Sequence, residues 1–175
     1  MISKSSEIEE RAIDRVAELM CLAARTAPKA KGIDNLVVMT VKAGVKDQLA
    51  DEMRRIAKQS GFQFFERDAG CIEKAHSILI LGQKVKPVGV SPCGYCGYSD
   101  CKDNTQNGGM CAISVGDLGI ALGAAVSVAA HHHVDNRVMF SIGRAALNLA
   151  IFEEDVKVAY GVPLSASGKN PFFDR

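Results

Sequence analysis

The segment 91–111, SPCGYCGYSDCKDNTQNGGMC, constrains this chain more than any other part of its sequence. It contains four of the six cysteines, with glycines between and after them. These cysteines are Cys93, Cys96, Cys101 and Cys111, which gives the spacing C-x2-C-x4-C-x9-C. Soft thiolate ligands on an irregular backbone with glycine bends are typical of a metal-binding loop. The sequence therefore predicts a metal-binding insertion at 84–116.

Three interpretations of the four cysteines stay open. Zinc sites usually use two pairs of closely spaced ligands, whereas here single cysteines at unequal gaps follow Cys96. The spacing is closer to iron–sulfur usage, although it matches neither the bacterial nor the plant ferredoxin pattern. An iron–sulfur cluster is the preferred prediction, as [4Fe–4S] ahead of [2Fe–2S]. Zinc and free thiols are the alternatives.

The remaining cysteines and the histidines fit structural roles better. Cys21 lies among the apolar positions of a predicted helix and Cys71 precedes Ile72, so both are expected to be core thiols. Cys71 is also a candidate alternative ligand or resolving thiol, because it comes shortly before the strand that leads into the loop. The histidines at 131–133 end a predicted helix, where adjacent side chains diverge and meet the negative helix terminus favourably.

Composition and charge narrow the range of functions. Lys plus Arg number 21 and Asp plus Glu number 20, so nucleic acid is not an expected partner. The N-terminus is polar, and the longest weakly polar run, 118–130, is shorter than the roughly 18 residues that span a bilayer, so no membrane association is expected. The expected compartment is the cytoplasm, where clustered cysteines serve as metal ligands or redox groups.

Hydrophobic periodicity predicts four helices and four strands around the loop. Helices are expected at 7–24, 46–60, 118–130 and 135–149, strands at 36–41, 62–66, 77–81 and 156–162, and a turn or short helix at 70–74. Ser6 and Glu9 form a capping-box pair for the first helix, and Asp117 is placed to cap the third. The helices are too few and too unevenly placed for a doubly wound sheet, so the predicted class is α+β, as a single domain over 1–175.

The predicted helix 118–130 is apolar nearly all round, which predicts burial on every side. Its glycines and alanines indicate that another backbone approaches it closely, from the same chain or from a second subunit.

Three segments together resemble a family of prokaryotic proteins described as containing a ferredoxin domain. They are the cysteine loop, GDLGIALGAAVSVAAHH at 116–132 and GKNPFFDR at 168–175. A more distant resemblance concerns the fold. The stretch 23–41, AARTAPKAKGIDNLVVMTV, is similar to the Ala-Pro loop that enters a strand in FMN-dependent nitroreductases, and 117–130 is similar to their long central helix. This resemblance implies a sandwich with an antiparallel sheet, a homodimer and a flavin held between subunits.

The Arg-Ser-x-Arg element that holds the FMN phosphate in nitroreductases has no counterpart in this first helix, which begins SSEIEERAIDR. The cations that could replace it are Arg25, Lys29, Lys31, Lys169 and Arg175. Each is alternatively ordinary surface charge.

Two functions from different classes follow from the sequence. The first is a cytoplasmic redox protein that carries an iron–sulfur cluster on the four cysteines and passes electrons to a flavin or to a partner, as an oxidoreductase of undefined substrate. The second is a non-catalytic interaction protein, in which zinc or a cluster only orders the cysteine loop.

Overall fold

Helices cover both faces of a four-stranded antiparallel sheet in this protein. The computed structural model describes residues 2–173. The strands are β1 (Leu36–Val41), β2 (Ser77–Lys84), β3 (Asp135–Asn136) and β4 (Val156–Ser165), in the sheet order β1-β2-β4-β3. The helices are α1 (Ser5–Thr26), α2 (Ala43–Ser60), α3 (Phe64–Glu73), α4 (Cys101–Gln106), α5 (Ala112–His131) and α6 (Phe140–Asn148), with a 3-10 turn at Ala30–Gly32. The predicted α+β class is confirmed.

β2 is a central strand, and its residues 77–83 are all buried. Successive side chains of a strand point to opposite faces of the sheet. Ile78 and Ile80 therefore enter one apolar core, whereas Leu79 and Leu81 enter the other. β1 and β4 pair with β2 on either side, both antiparallel. Because both of its faces are covered, the strand is a continuous apolar run that is easily recognised in the sequence.

α1 and α5 cover one face of the sheet. The buried residues of α1 repeat at helical spacing, and they are Ile13, Val16, Ala17, Met20 and Ala24. α5 packs beside α1 and against β2. One helix among residues 2–173 is long and apolar enough to cross a membrane by length and composition, and it is α5. Its contacts with α1 and the sheet are those of a core helix in this fold.

Within one chain, α5 is not buried on every side. Gly116, Gly119 and Gly123 lie on an exposed face together with Ile120, whose residue exposure is 49%. A Cβ built at any of these three glycines meets no atom within 4 Å. The fold of one chain therefore does not require glycine at these positions.

α2, α3 and α6 cover the opposite face of the sheet. The predicted strand at 62–66 is wrong, because this segment enters α3. Phe65, Ala69 and Ile72 are buried at spacings of four and three residues, which orients them all toward the core on one helix face. This helical pattern overrides the strand preference of the phenylalanines.

Predicted helix starts also differ from the structure. α1 begins at Ser5 and its N-cap residue Lys4 forms no side-chain cap hydrogen bond, so the predicted Ser6–Glu9 capping box is wrong. α5 begins at Ala112, so Asp117 lies inside it and does not cap it. The Asp117 carboxylate instead accepts a hydrogen bond from the Ala30 backbone N–H at 3.1 Å and fixes the 3-10 turn. α6 begins at Phe140, because β3 precedes it and Met139 exchanges two backbone hydrogen bonds with Gly161 of β4.

α6 lies directly against the backbone of β4. A Cβ on Gly143 would lie 1.9 Å from the carbonyl oxygen of Ala159 and 2.7 Å from the amide nitrogen of Tyr160. The approach of the helix to the strand therefore depends on the absence of a side chain at this residue.

We expect Gly143→Ala to lower the free energy of unfolding by about 1–3 kcal/mol, because the added methyl group forces α6 away from β4. Gly70→Ala is the matched control, since Gly70 is also helical and its added Cβ meets nothing within 4 Å. That variant should be unchanged or slightly more stable, as alanine favours a helix over glycine. Urea unfolding of both variants measures the difference, and equal stabilities would contradict the packing described.

A buried carboxylate connects α2 to α6. Glu52 accepts two hydrogen bonds from Arg55, both 2.6 Å, and one from the Asn148 amide at 2.7 Å. The Arg55 hydrogen bonds lower the pKa of Glu52 below its ordinary value of 4.5, and they outweigh burial, which acts in the opposite direction.

The lowered pKa of Glu52 gives a stability contribution that is present above pH 4.5 and is lost as the pH falls through the folded-state pKa. We expect Glu52→Gln to lower the free energy of unfolding by about 1 kcal/mol at pH 7. The difference from the wild type should shrink as the pH falls below 4.5. Urea unfolding of both proteins from pH 7 to below pH 4.5 measures this difference in the free energy of unfolding. A difference that stays constant with pH would rule out the ionised Glu52 carboxylate as its cause.

Candidate metal centre in the cysteine loop

The cysteine loop leaves the end of β2 and returns at the start of α5. Its two ends are fastened together, because the Gln83 amide donates to the Ser114 hydroxyl at 2.8 Å. Ser114 in turn donates to the Lys84 carbonyl at 3.3 Å. Gln83 and Ser114 are both almost fully buried, at 2% and 1% exposure. The loop is thus held at a fixed edge of the sandwich.

All four predicted metal-ligating cysteines line one cavity of about 470 Å³. Cys93 is exposed, Cys96 and Cys101 are half-buried, and Cys111 is buried. Cys101 is the first residue of α4 and Cys111 immediately precedes α5. The walls of the cavity are formed by 87–96, 99–102, 104 and 111–113.

Glycines make the bends that bring the cysteines around this cavity. Gly94, Gly97 and Gly108 have φ angles of 76°, 84° and 64°, which other residues rarely adopt. The Gly97 N–H donates to the Gly94 carbonyl at 2.9 Å and closes a turn around Cys96. Short-range hydrogen bonds order the next turn, where Asp100 caps α4 by accepting from two backbone N–H groups, both 2.8 Å.

Asn104 joins the two later cysteine segments, a role that the sequence reasoning missed. The residue is 1% exposed, and its side-chain amide donates to the Met110 carbonyl at 3.2 Å. The backbone carbonyl of Asn104 accepts from the Gly109 N–H at 2.8 Å. A Cβ on Gly109 would lie 2.5 Å from the Tyr98 ring and 2.6 Å from the Asn104 amide. Asn104 thereby links α4, which carries Cys101, to the residue before Cys111.

The donor set of the cavity fits a thiolate-bound metal group in chemical type. Among residues 2–173, no three Cys, His, Asp or Glu side chains lie close enough together to hold a metal ion as they stand. Ligation would therefore draw the four thiols inward within the cavity that they already share.

The other two cysteines lie away from this cavity. Cys21 packs against the core beneath α1, and Cys71 packs against the core on the opposite face of the sheet. Burial raises the pKa of both thiols, with the Asp68 carboxylate adding to the effect at Cys71. Since the thiolate is the metal-binding form, these environments disfavour ligation. Both residues are half-buried core thiols, and neither lines the cavity.

The three histidines at the end of α5 are exposed. The rings of His131 and His132 lie 5.3 Å apart at 88°, edge to face, and His133 has a φ angle of 58°. These positions agree with the structural role at a helix terminus that the sequence favoured.

Three of the predicted FMN phosphate contacts already bind neighbouring groups. Arg25 donates to the Asp34 carboxylate and to the Leu36 carbonyl. Lys29 donates to three backbone carbonyls at the end of α1, at 2.7 to 3.2 Å. Lys31 donates to the Gly89 carbonyl at 3.2 Å, on the wall of the cysteine cavity.

The remaining predicted contacts are in the C-terminal tail. Lys169 is exposed and Arg175 lies outside the described residues. The tail is attached near the C-terminal end of α5, because the Ser167 hydroxyl donates to Asp135 of β3. The 3-10 turn is attached near the N-terminal end of α5, because the Ala30 N–H donates to Asp117. Residues 117–131 of α5 span about 20 Å. Lys31 and Lys169 are therefore attached near opposite ends of α5 in one chain.

The architecture defined by this sheet and its two helical layers is the nitroreductase-like fold. A nitroreductase with bound FMN from Desulfitobacterium hafniense superposes with a TM-score of 0.61 at 16% identity, covering 89% of this chain and 79% of that one. A putative nitroreductase in complex with FMN from Desulfovibrio desulfuricans gives a TM-score of 0.58 at 12% identity, covering 93% and 78%. At these identities the similarity establishes the fold alone.

The family follows from sequence similarity. A protein of Archaeoglobus fulgidus, described as an uncharacterized protein, is 38% identical over 184 residues, which cover 100% of this chain and 98% of that protein. A family profile matches residues 107–175. The chain belongs to this family, which is described as "uncharacterized protein containing a ferredoxin domain" (DUF2148). The ferredoxin domain in the description of the family indicates a redox function.

We expect Gly109→Ala to loosen the cysteine loop, because the added methyl group displaces Tyr98 and Asn104. Hydrogen exchange of segment 97–111 should become faster while the sheet is unchanged. Gly116→Ala is the control, since Gly116 follows the loop directly and its Cβ meets nothing within 4 Å. Equal exchange in the two variants would show that this contact does not order the loop.

Proposed function

We propose that the protein is a redox protein that binds an iron–sulfur cluster through Cys93, Cys96, Cys101 and Cys111. The observation that carries this proposal is that all four thiols line one cavity in a loop whose ends are fastened to the fold. The ferredoxin domain of the family supports the same conclusion. A [4Fe–4S] cluster is the preferred form, and the compartment proposed is the reducing cytoplasm.

In this function each part of the loop has a separate task. When bound, the cluster supplies one-electron transfer. The four thiolates hold it, and the bends at Gly94 and Gly97 keep the first two cysteines beside the cavity. The buried Cys111 and the almost fully buried Asn104 exclude water from the inner side, whereas Cys93 faces solvent. A redox partner would therefore approach from the side of Cys93.

A homodimer that holds FMN between subunits is a further part of the proposal. The two solved nitroreductases named above contain FMN. The exposed face of α5 is built from small residues and has room for a second helix. Because Lys31 and Lys169 of one chain are attached near opposite ends of α5, a phosphate site that combines them would need one cation from each subunit.

A non-catalytic interaction protein is the second candidate. Tyr95 and Met110, both in the cysteine loop, are 78% and 52% exposed, as expected for residues that contact a partner. In that case zinc or a cluster would only order the loop.

Anaerobic purification followed by iron, sulfide and zinc analysis distinguishes the two functions. The redox function predicts a brown protein with iron, sulfide and an absorption band near about 400 nm that dithionite bleaches. A colourless protein with stoichiometric zinc would support the interaction protein instead. Released yellow flavin and the mass of a dimer, measured on the same sample, test the FMN and homodimer proposals.

We expect Cys96→Ser and Cys101→Ser to lose most of the iron, because a hydroxyl is a poor substitute for a soft thiolate. Cys21→Ser is the matched control and should retain the iron content of the wild type. Metal analysis of the three variants, with circular dichroism to verify folding, checks this assignment. If Cys21 or Cys71 proves necessary for metal content, the assigned ligand set is wrong.

A further inference from the structure

A second cavity, of about 460 Å³, lies on the outer side of β4 and shares no residue with the cysteine cavity. We call it the aromatic groove, and it is lined by Ile56, Phe62, Phe64, Phe65, Phe140, Arg144, Leu147 and 157–160. β2 pairs with one side of β4 along its length. On the other side of β4, β3 pairs only with Leu164 and Ser165. The groove therefore runs beside a part of β4, 157–160, that has no strand partner on its outer side among the described residues.

Phenylalanine rings form one continuous wall of the groove. The Phe62 and Phe64 centroids lie 6.0 Å apart, and Phe64 stacks on Phe65 at 4.5 Å. Phe140 meets Phe65 edge to face at 6.1 Å. Phe62 and Phe140 are 61% and 54% exposed. Aromatic surface gathered and exposed in this way is characteristic of a binding surface rather than of scattered surface residues.

Two unpaired cations lie in the same groove. Arg144 and Lys157 are exposed, and within residues 2–173 neither forms an ion pair or a side-chain hydrogen bond. Arg54, by contrast, pairs with Glu66 and Glu73 nearby. No acidic residue lines the groove, while Glu153 and Glu154 line the adjoining cavity that also contains Arg144 and Lys157. The charge of the groove lining itself is therefore complementary to an anion.

We propose that the aromatic groove binds a planar aromatic carboxylate. The ring system packs against the phenylalanine wall, where offset or edge-to-face contacts are favourable. The carboxylate pairs with the Arg144 guanidinium, which can donate two parallel hydrogen bonds, and with the Lys157 ammonium. The volume suits a ligand of two or three fused rings, because small-molecule sites of about 300–1,000 Å³ lined by apolar groups with few polar ones are usual. This site is independent of the metal proposed for the cysteine loop.

Calorimetric titration of the full chain with 2-naphthoate tests the proposal. We expect saturable binding at one site per chain, and a neutral analogue, 2-naphthamide, should bind at least about tenfold more weakly because a charged hydrogen bond is lost. Arg144→Gln and Phe140→Ala should each weaken 2-naphthoate binding about tenfold or more. Arg11→Gln, which changes an exposed arginine of α1 outside the groove, should leave 2-naphthoate binding unchanged.

Several results would overturn the proposal. They are no binding of 2-naphthoate to the wild type at millimolar concentration, equal binding of 2-naphthamide, or unchanged binding by folded Arg144→Gln and Phe140→Ala variants. If a second copy of the chain covers the groove, 2-naphthoate will not bind to the wild type and the protein will be a dimer that does not dissociate. Repeating the titration on Cys96→Ser separates this site from the metal, since loss of iron should leave 2-naphthoate binding intact.

Discussion

The burial of β2 on both faces is the constraint on which the rest of this structure depends. Its alternate side chains enter two separate cores, so each face needs its own helical layer. α1 and α5 supply one layer, and α2, α3 and α6 supply the other. The strand also ends where the cysteine loop begins, and thus a buried element determines where the four cysteines are placed.

Close backbone contacts hold the second layer in place. Gly143 lets α6 rest on the β4 backbone, and Gly161 lies where a side chain would meet Ile142. α6 then carries Phe140 and Arg144 to the outer side of β4, while α3 carries the other phenylalanines of the aromatic groove. The two cavities consequently depend on different parts of the same sheet, one on the end of β2 and one on the side of β4.

Local patterns in the sequence were sufficient for much of this fold. The apolar spacing of α1 and the runs at β1 and β2 depend on neighbouring residues, and the structure agrees with them. The segment 62–66 was misread because phenylalanine favours strands, whereas the burial of Phe65, Ala69 and Ile72 is decided by packing against distant helices. The role of Asp117 likewise depends on a contact across 87 residues, which no local pattern reports. The cysteine spacing predicted that the four thiols belong to one site, and the structure places all four around one cavity. Asn104 and the aromatic groove emerge only when separate segments meet.

The fastening of Gln83 to Ser114 has a consequence for how the protein matures. Neither apolar core contains a residue from 85–111, so the sandwich can complete its folding before the loop receives any metal. The entropy cost of closing a loop rises only slowly with the number of residues between its two ends. Delivery of the proposed metal would then be a late step on a finished scaffold, and the loop would be able to exchange or lose that metal while the sandwich stays folded.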